Sequence, residues 1–358
     1  MVPGLERDDG ARYRPTVGRK REAVNIRIVG ALLVVFCVIA GSANAQAPAR
    51  PLAPVRVISF DGGWNLPVWA AQRQGFFEAN GIAVQTSYTP SSGFLIASLF
   101  DGRQDIALAL MDNLIAYQEG QGEVKIPEPP DLVAILGGDG GFLSVVAAPG
   151  VKSFAELKGK TLSVDALTTG AAFVLRELVA KNGLSDHDVS YARAGGTSNR
   201  YADLLAGKHD ATLLRTPFEL LAQNRGFHVL ASAEMLGPYQ GTAGFVRRSW
   251  GEAHETAVVG FLKGYRAGVE WLYQPANREI VEALLTANIR DMTPALARQS
   301  YDLLLAQPGG IYRDARPDLP GIGTVLALRS KYATPAKALS DPSKYVDLSY
   351  YDKAVPSR

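Results

Sequence analysis

The sequence predicts an α/β protein in which two similar lobes, each a sheet covered by helices, are joined by a hinge and enclose a central ligand cleft. Three observations support this fold class: strand and helix patterns alternate, a loose repeat recurs after about 105 residues, and a glycine-rich segment separates the two copies. The length of 358 residues is enough for two hydrophobic cores without disulfide bonds.

The repeat consists of three short matches in the same order. Residues 99–108 and 204–213 both read LxxGxxDxxL, at an offset of 105. Upstream, Ile58–Asp61 matches Leu162–Asp165 at an offset of 104, and the Asn-Gly pair at 80 matches the pair at 182. Self-similarity at one period indicates that the same structural unit is built twice.

Each copy reads as strand, helix, strand, helix and strand, with glycines closing the helices. In the first copy the strands are predicted at 55–60, 83–88 and 105–110, and the helices at 66–74 and 93–101. In the second copy the strands are predicted at 161–164, 189–192 and 211–214, and the helices at 170–181 and 199–206. Short loops between such elements predict a parallel sheet with right-handed crossovers in each lobe.

The two copies are joined by a predicted hinge. Apolar strands at 133–136 and 143–148 flank the glycine-rich residues 137–141, which suits a crossing between lobes, and a return crossing is expected near 237–241. The helices predicted beyond it are 253–273, 275–288, 294–306 and 321–331. The predicted division is lobe 1 at 53–145, lobe 2 at 146–238, the C-terminal helices of lobe 1 at 239–340, and a polar tail at 341–358.

The composition excludes several classes of function. Lys+Arg 37 against Asp+Glu 35 gives a net charge of +2, which does not suit nucleic-acid binding. One cysteine and four scattered histidines show no ligand spacing, so neither a metal site nor a cofactor is expected. No nucleophile and base are paired by a motif, so no catalytic residue is assigned.

The N-terminal segment reads as a signal peptide at 1–45. A basic region is followed by apolar residues 28–40 and small residues up to Ala45, after which cleavage is predicted. Thirteen apolar residues span about 20 Å as a helix, less than the roughly 30 Å of a bilayer core, so a membrane anchor is the weaker alternative. The leader is long, and a translation start downstream of Met1, at Val17 or Val24, is a further alternative.

Cleavage after Ala45 changes the charge balance. The segment carries seven of the basic and four of the acidic residues, which leaves 30 positive and 31 negative charges and no cysteine. The basic cluster is therefore an export feature, and the expected location is the periplasm.

Two segments resemble a known family. Residues 65–82 (NLPVWAAQRQGFFEANGI) resemble the first helix of periplasmic solute-binding proteins of ABC importers, in the sulfonate/nitrate/taurine and thiamine-pyrimidine-synthase-like group. Residues 154–164 (FAELKGKTLSV) resemble the start of the second lobe. The resemblance covers roughly 53–340 and implies a type-II periplasmic binding protein, a monomer that delivers a small organic solute to a permease in the inner membrane.

The resemblance also implies ligand-binding positions in the loops that follow the strands, where open α/β sheets bind ligands. The candidates are Trp64, Asn65, Ser91, Ser92, Phe94, Asp112, Asn113, Thr168, Thr169, Thr197, Ser198, Arg215 and Tyr239, with Phe142 and Thr216 beside them. Several have a structural alternative: the Ser and Thr pairs can cap helices, Trp64 can fill a core, and Asn65 can start a helix. Asp105 and Asp210 are expected to be structural, because they precede strands at the end away from the cleft.

Arg215 is the most specific candidate. It takes the place that Leu110 has in the first copy, and a guanidinium there favours an anionic group such as a carboxylate or sulfonate. Its alternative role is an ion pair, for which Asp112 is the suggested partner. Asp112 could instead bind an amine or ring nitrogen, so the ligand stays open.

Two other functions remain as alternatives. A thiamine-pyrimidine-synthase-like enzyme is disfavoured, because that activity resembles iron chemistry with histidine and a cysteine-rich motif, and no histidine falls in the cleft loops. An extracytoplasmic ligand sensor would share the cleft, so the sequence does not separate it from a transport protein.

Overall fold

The computed structural model describes residues 51–355, so the predicted signal peptide and its cleavage after Ala45 lie outside the described residues. Two five-stranded sheets form the framework. The first contains β1 (Ala53–Ser59), β2 (Ile82–Tyr88), β3 (Ile106–Leu110), β4 (Leu132–Gly137) and β10 (Thr242–Arg247), in the order β2-β1-β3-β10-β4. The second contains β5 (Leu143–Ala147), β6 (Thr161–Val164), β7 (Ser190–Arg193), β8 (Ala211–Arg215) and β9 (His228–Ser232), in the order β7-β6-β8-β5-β9.

Helices connect the strands and cover the sheets. Those of the first sheet are α1 (Leu66–Gln74), α2 (Ser92–Phe100) and α3 (Met111–Gln118), and those of the second are α4 (Gly170–Lys181), α5 (Thr197–Leu205) and α6 (Phe218–Gln223). The C-terminal region adds α7 (Arg248–Ala253), α8 (Glu255–Leu272), α9 (Arg278–Asn288), α10 (Pro294–Leu304), α11 (Leu319–Tyr332) and α12 (Ser349–Ala354). We refer to the two sheets with their helices as the first and second lobes.

The elements predicted for the two repeats are confirmed, with ends that shift by up to two residues. The three strands of each repeat are parallel, as predicted, but each sheet also contains a strand whose antiparallel direction was not predicted. In the first sheet β10 runs antiparallel between β3 and β4, and in the second sheet β5 runs antiparallel between β8 and β9. β10 begins beside the last residue of β3, since Thr242 pairs with Leu110, and β5 begins beside the last residue of β8, since Leu143 pairs with Arg215. Because each enters its sheet at the end where the parallel strands finish, it runs in the opposite direction to them.

The repeated LxxGxxD segment has the same structural role in both lobes. Asp105 accepts a hydrogen bond from the backbone N–H of Arg56 at 2.8 Å, and Asp210 accepts one from that of Thr161 at 2.9 Å. Gly102 and Gly207 both have φ of +67°, the left-handed conformation in which a helix often ends. The prediction that these aspartates are structural is confirmed.

The C-terminal region differs in detail from its predicted helices. The predicted helix 253–273 corresponds to α8, which begins at Glu255 because the chain breaks at His254, and the short helix α7 before it was not predicted. Helix α8 packs on α1, whereas α11 packs on both α3 and α4 and so touches the two lobes. The tail is anchored by buried aromatic side chains, since Tyr345 donates a hydrogen bond to Glu119 at 2.8 Å. None of the helices in 51–355 is long and apolar enough to cross a membrane.

Candidate functional site

A cavity lies between the two lobes, at the ends of the parallel strands. The chain passes from β4 to β5 through 138–142 and returns from β9 to β10 through 233–241, so two crossings connect the sheets. The cavity has an empty volume of about 410 Å³, part of which is open to solvent. Its lining residues are Phe60, Trp64, Ser92, Leu110, Asn113, Leu143, Asp165, Thr169, Gly170, Ala171, Thr197, Arg200 and Arg215.

Six of the sequence-predicted site residues line this cavity. They come from both lobes, and they are Trp64, Ser92, Asn113, Thr169, Thr197 and Arg215. Leu110, which the repeat aligns with Arg215, lines it too, so equivalent positions of the two copies face the same space.

The remaining predicted residues have other positions. Asn65 is buried and donates hydrogen bonds through Nδ2 to the carbonyl oxygens of Phe60 and Gly62, at 2.7 and 3.0 Å. Ser91 caps α2 by accepting the N–H of Phe94 at 3.3 Å, and the Phe94 side chain is exposed to solvent. These contacts favour structural roles for Asn65 and Ser91.

Asp112 does not face the cavity, and it does not pair with Arg215. It forms a buried ion pair with Arg329 of α11, with distances of 2.7 Å from Nε to Oδ1 and 2.8 Å from Nη2 to Oδ2. Asp112 also accepts the backbone N–H of Gly170 at 2.5 Å, and Arg329 donates to the Thr168 carbonyl at 2.9 Å. The suggested pair of Asp112 with Arg215 is therefore wrong, because the positive charge that pairs with Asp112 belongs to Arg329, 217 residues away.

Arg215 pairs instead with Asp139 in the first crossing. Its Nη2 lies 2.9 Å from Asp139 Oδ1 and 3.0 Å from Thr242 Oγ1, and its Nε donates to the carbonyl of Gly141 at 2.8 Å. The guanidinium also lies 4.1 Å from the centre of the Trp64 ring. Burial lowers the pKa of Arg215, and the nearby Asp139 opposes that shift. Arg215 thus ties the end of β8 to both crossings.

Two charged lining residues, Arg200 and Asp165, were not among the sequence-predicted candidates. Arg200 lies one turn after Thr197 in α5 and donates to the carbonyls of Leu213 and Gly195, at 3.0 and 2.6 Å. Burial lowers its pKa to about 10, which leaves it charged at neutral pH. The sequence could have indicated Arg200, because it lies in the predicted helix 199–206, three residues after the candidate Thr197.

Asp165 is the second missed residue. It follows β6, is 6% exposed, and accepts a hydrogen bond from the Ser92 hydroxyl through Oδ2. Its Oδ1 is shielded from water and has no hydrogen-bond partner within residues 51–355. The repeat aligns Asp165 with Asp61, so the sequence contained the signal that identifies its position.

Hydrogen bonds between the lobes close the cleft. Ser92 of the first lobe donates to Asp165 of the second, and Ser198 of the second lobe donates to Asp61 of the first at 2.9 Å. The backbone N–H of Gly196 also donates to the carbonyl of Pro90 at 3.0 Å. These three hydrogen bonds hold the two lobes together around the cavity.

The remaining candidates lie outside this lining. Thr168 contributes its carbonyl to Arg329, and Tyr239 is buried beside Gly141, with a hydroxyl that has no partner within the described residues. Burial raises the pKa of Tyr239, which keeps its phenol neutral. No group of three His, Cys, Asp or Glu residues that could hold a metal ion occurs in 51–355.

The sequence matches a known protein family. The model of the NMT1-like family matches residues 59–286, which is more than half of the chain. The chain belongs to the NMT1-like family. A curated relative of this NMT1-like chain, named "Putative binding protein YtlA" from Bacillus subtilis (strain 168), is 26% identical over 223 residues, which are 61% of this chain. The match spans 65% of that relative, which is less than two thirds of its length.

Solved structures establish the fold of this NMT1-like chain. The periplasmic nitrate-binding protein NrtA from Synechocystis PCC 6803 has a TM-score of 0.70 at 14% identity, covering 85% of this chain and 88% of its own. The alkanesulfonate-binding protein SsuA from Xanthomonas axonopodis pv. citri has a TM-score of 0.63 at 18% identity, covering 77% and 91%. A Candida albicans protein described as having the generic periplasmic binding protein fold has a TM-score of 0.59 at 15% identity, covering 78% and 89%. The predicted two-lobed periplasmic binding protein fold is thus confirmed.

Proposed function

We propose that this protein is the solute-binding component of an ABC importer, which encloses one small organic solute between its lobes and delivers it to a membrane permease. The observation that carries the proposal is the interlobe cavity, because residues from both lobes line it and hydrogen bonds between the lobes close it. Membership of the NMT1-like family supports it, as does the resemblance to nitrate- and sulfonate-binding proteins.

The proposed contacts with the solute come from both lobes. The first lobe offers the Trp64 ring, the Ser92 hydroxyl and the Asn113 amide, and the second lobe offers Thr169, Thr197 and Arg215, to which we add Asp165. In this proposal residues 53–137 and 242–340 move against residues 143–232, and the segments 138–142 and 233–241 act as hinges. A solute that bridges the two linings stabilises the closed arrangement.

Export completes the proposal. Removal of residues 1–45 would release a monomer into the periplasm, where it would meet its permease. N-terminal sequencing of the exported protein should begin at Gln46, and an N-terminus at Met1 would contradict this part of the proposal.

The function is tested by native mass spectrometry of residues 46–358 mixed with a library of small organic solutes. We expect a 1:1 complex with a solute of unchanged mass, and a smaller radius of gyration in X-ray scattering when that solute is added. A solute at 100 times its Kd should stabilise the folded protein by about 2.7 kcal/mol. Conversion of an added solute to a product would instead favour the enzyme alternative, and the absence of any complex would contradict solute binding.

A further inference from the structure

We infer that the cleft takes a solute with an N–H donor group, which Asp165 binds, and that acceptor-only anions such as sulfonates and nitrate are not its cargo. This inference rests on the proposed function and specifies the chemistry of the same site. It also differs from the expectation that Arg215 selects an anion.

The first argument is the buried carboxylate of Asp165. One oxygen, Oδ2, accepts the hydroxyl of Ser92, but Oδ1 has no partner among residues 51–355 although the residue is 94% buried. A buried charged acceptor without a partner is destabilising, and native proteins rarely retain one without a functional reason. Because Asp165 lines the cavity, a donor on the solute can complete its hydrogen bonding.

The second argument is that most N–H groups of the two cavity arginines already donate to protein oxygens. All three nitrogens of Arg200 donate to protein oxygens, namely those of Leu213, Gly195 and Thr197. In Arg215 the Nε and Nη2 groups are used, and its charge is matched by Asp139 at 2.9 Å. Within the described residues, only Nη1 of Arg215 has no protein acceptor, and it can bind an acceptor on the same solute.

The third argument is the charge balance around the cavity. Arg200, Arg215 and Asp165 are the charged lining residues, and Asp139, which does not line the cavity, neutralises Arg215 through their ion pair, so these four groups are formally neutral together. An acceptor-only anion would add negative charge beside the buried, unpaired oxygen of Asp165, where like charges repel strongly. A neutral, zwitterionic or cationic solute with an N–H group avoids that repulsion.

The repeat supplies an internal comparison. Asp61 is the counterpart of Asp165 in the first lobe, and its Oδ1 accepts the Ser198 hydroxyl at 2.9 Å. Asp61 does not line the cavity, so only the carboxylate of the second lobe can meet the solute. Asn113 of the first lobe also lines the cavity and supplies a further donor and acceptor.

The test is a thermal-shift screen of residues 46–358 against two sets of solutes matched in size. One set carries N–H donors, such as benzamidine, benzamide and aminopyridines, together with amino acids and polyamines, and the other contains acceptor-only anions, such as benzoate, benzenesulfonate, alkanesulfonates and nitrate. We expect stabilisation by members of the first set. Stabilisation only by the anions would overturn the inference and leave the proposed function intact, whereas no stabilisation by either set would contradict the proposed function itself.

Variants then locate the effect. Asp165→Asn should weaken the best donor-bearing solute about 10- to 100-fold, the scale of a hydrogen bond to a charged group, and should shift the selectivity toward acceptor-only anions. Asp61→Asn is the matched control, since it weakens the other interlobe hydrogen bond without changing the cavity lining, and it should leave the ratio of the two affinities unchanged. This ratio does not depend on the folded fraction, so equal ratios in Asp165→Asn and wild type would overturn the inference.

Discussion

Arg215 and Asp139 form an ion pair that is almost completely buried, with exposed side-chain fractions of 4% and 1%, and that joins the end of β8 to the crossing between the lobes. Its two residues are 76 positions apart. Arg215 lines the cleft, and its ion pair with Asp139 also holds the first crossing in place. Variants of the pair should therefore change the stability of the fold as well as the cleft.

Arg215→Leu should destabilise the fold by about 3–5 kcal/mol, because it leaves the Asp139 carboxylate buried without its partner. Urea denaturation of the solute-free protein measures the change. The double variant Arg215→Leu with Asp139→Leu should lose less free energy of unfolding than Arg215→Leu alone, because it leaves no buried charge unpaired. Arg103→Leu is the control, since Arg103 pairs with Asp101 at an exposed site and should change the free energy of unfolding by under about 1 kcal/mol. A small loss in Arg215→Leu would show that the pair does not hold the hinge.

Ser198→Ala removes a hydrogen bond between the lobes and should shift the protein toward the open state. The Ser198 hydroxyl donates to Asp61 at 2.9 Å, and the loss of such a bond should favour opening by about 1 kcal/mol, which is roughly a fivefold change in the ratio of open to closed protein. Fluorescence energy transfer between dyes on the two lobes measures the ratio. Ser343→Ala removes a similar bond, to Asp341, within the tail and should have no effect on it. Equal ratios in both variants would contradict a role of Ser198 in closure.

Gly170→Ala should prevent full closure of the lobes. A Cβ at Gly170 would lie 2.4 Å from Cβ of Asp112, which is closer than such atoms ever approach, and both residues sit where the lobes meet. We expect solute affinity to fall more than tenfold in calorimetry, with little change in the unfolding of the solute-free protein, because the lobes can relax apart. Gly150→Ala places a methyl group in open space and serves as the control. Wild-type affinity in Gly170→Ala would mean that binding does not need this contact.

Glu219 should make the stability of the protein depend on pH. Burial raises its pKa to about 7, Oε1 accepts the Thr216 hydroxyl at 2.6 Å, and Oε2 has no partner within the described residues. Because the folded state holds this proton more tightly than the unfolded state, Glu219 reduces stability as the pH rises from about 4.5 through about 7. In wild type the free energy of unfolding should fall by about 3 kcal/mol between these pH values because of Glu219, and Glu219→Gln should abolish that fall. Urea denaturation at each pH measures the free energy of unfolding. An identical pH profile in the variant would place the pKa of Glu219 near its ordinary value.

The elements of the repeat could be predicted because their signals are local. Glycines at helix ends and aspartates at strand starts act within a few residues, and they placed α1 and α4 at the residues where the structure has them. The direction of β5 and β10 could not be predicted in this way, since it depends on the edge at which the chain enters each sheet. Strand direction is a property of the assembled sheet.

The site was only partly predictable for the same reason. Six lining residues followed from the loops after the strands, but the partners of Arg215 and Asp112 are 76 and 217 residues away, and no local pattern connects them. Asp165 is a different case. Its alignment with Asp61 was visible in the repeat, and what the sequence lacked was the burial that leaves one of its oxygens without a partner.

The two hydrogen bonds between the lobes are equivalent, because in each a serine of one lobe donates to an aspartate of the other: Ser92 to Asp165 and Ser198 to Asp61. A cleft built only from such pairs would look the same from either side and would hold a solute in two equivalent orientations. Two differences in the lining remove that equivalence: Asp165 lines the cavity and Asp61 does not, and Leu110 is apolar where its counterpart Arg215 carries a guanidinium. In the proposed function, a bound solute therefore contacts two different walls and has one preferred orientation.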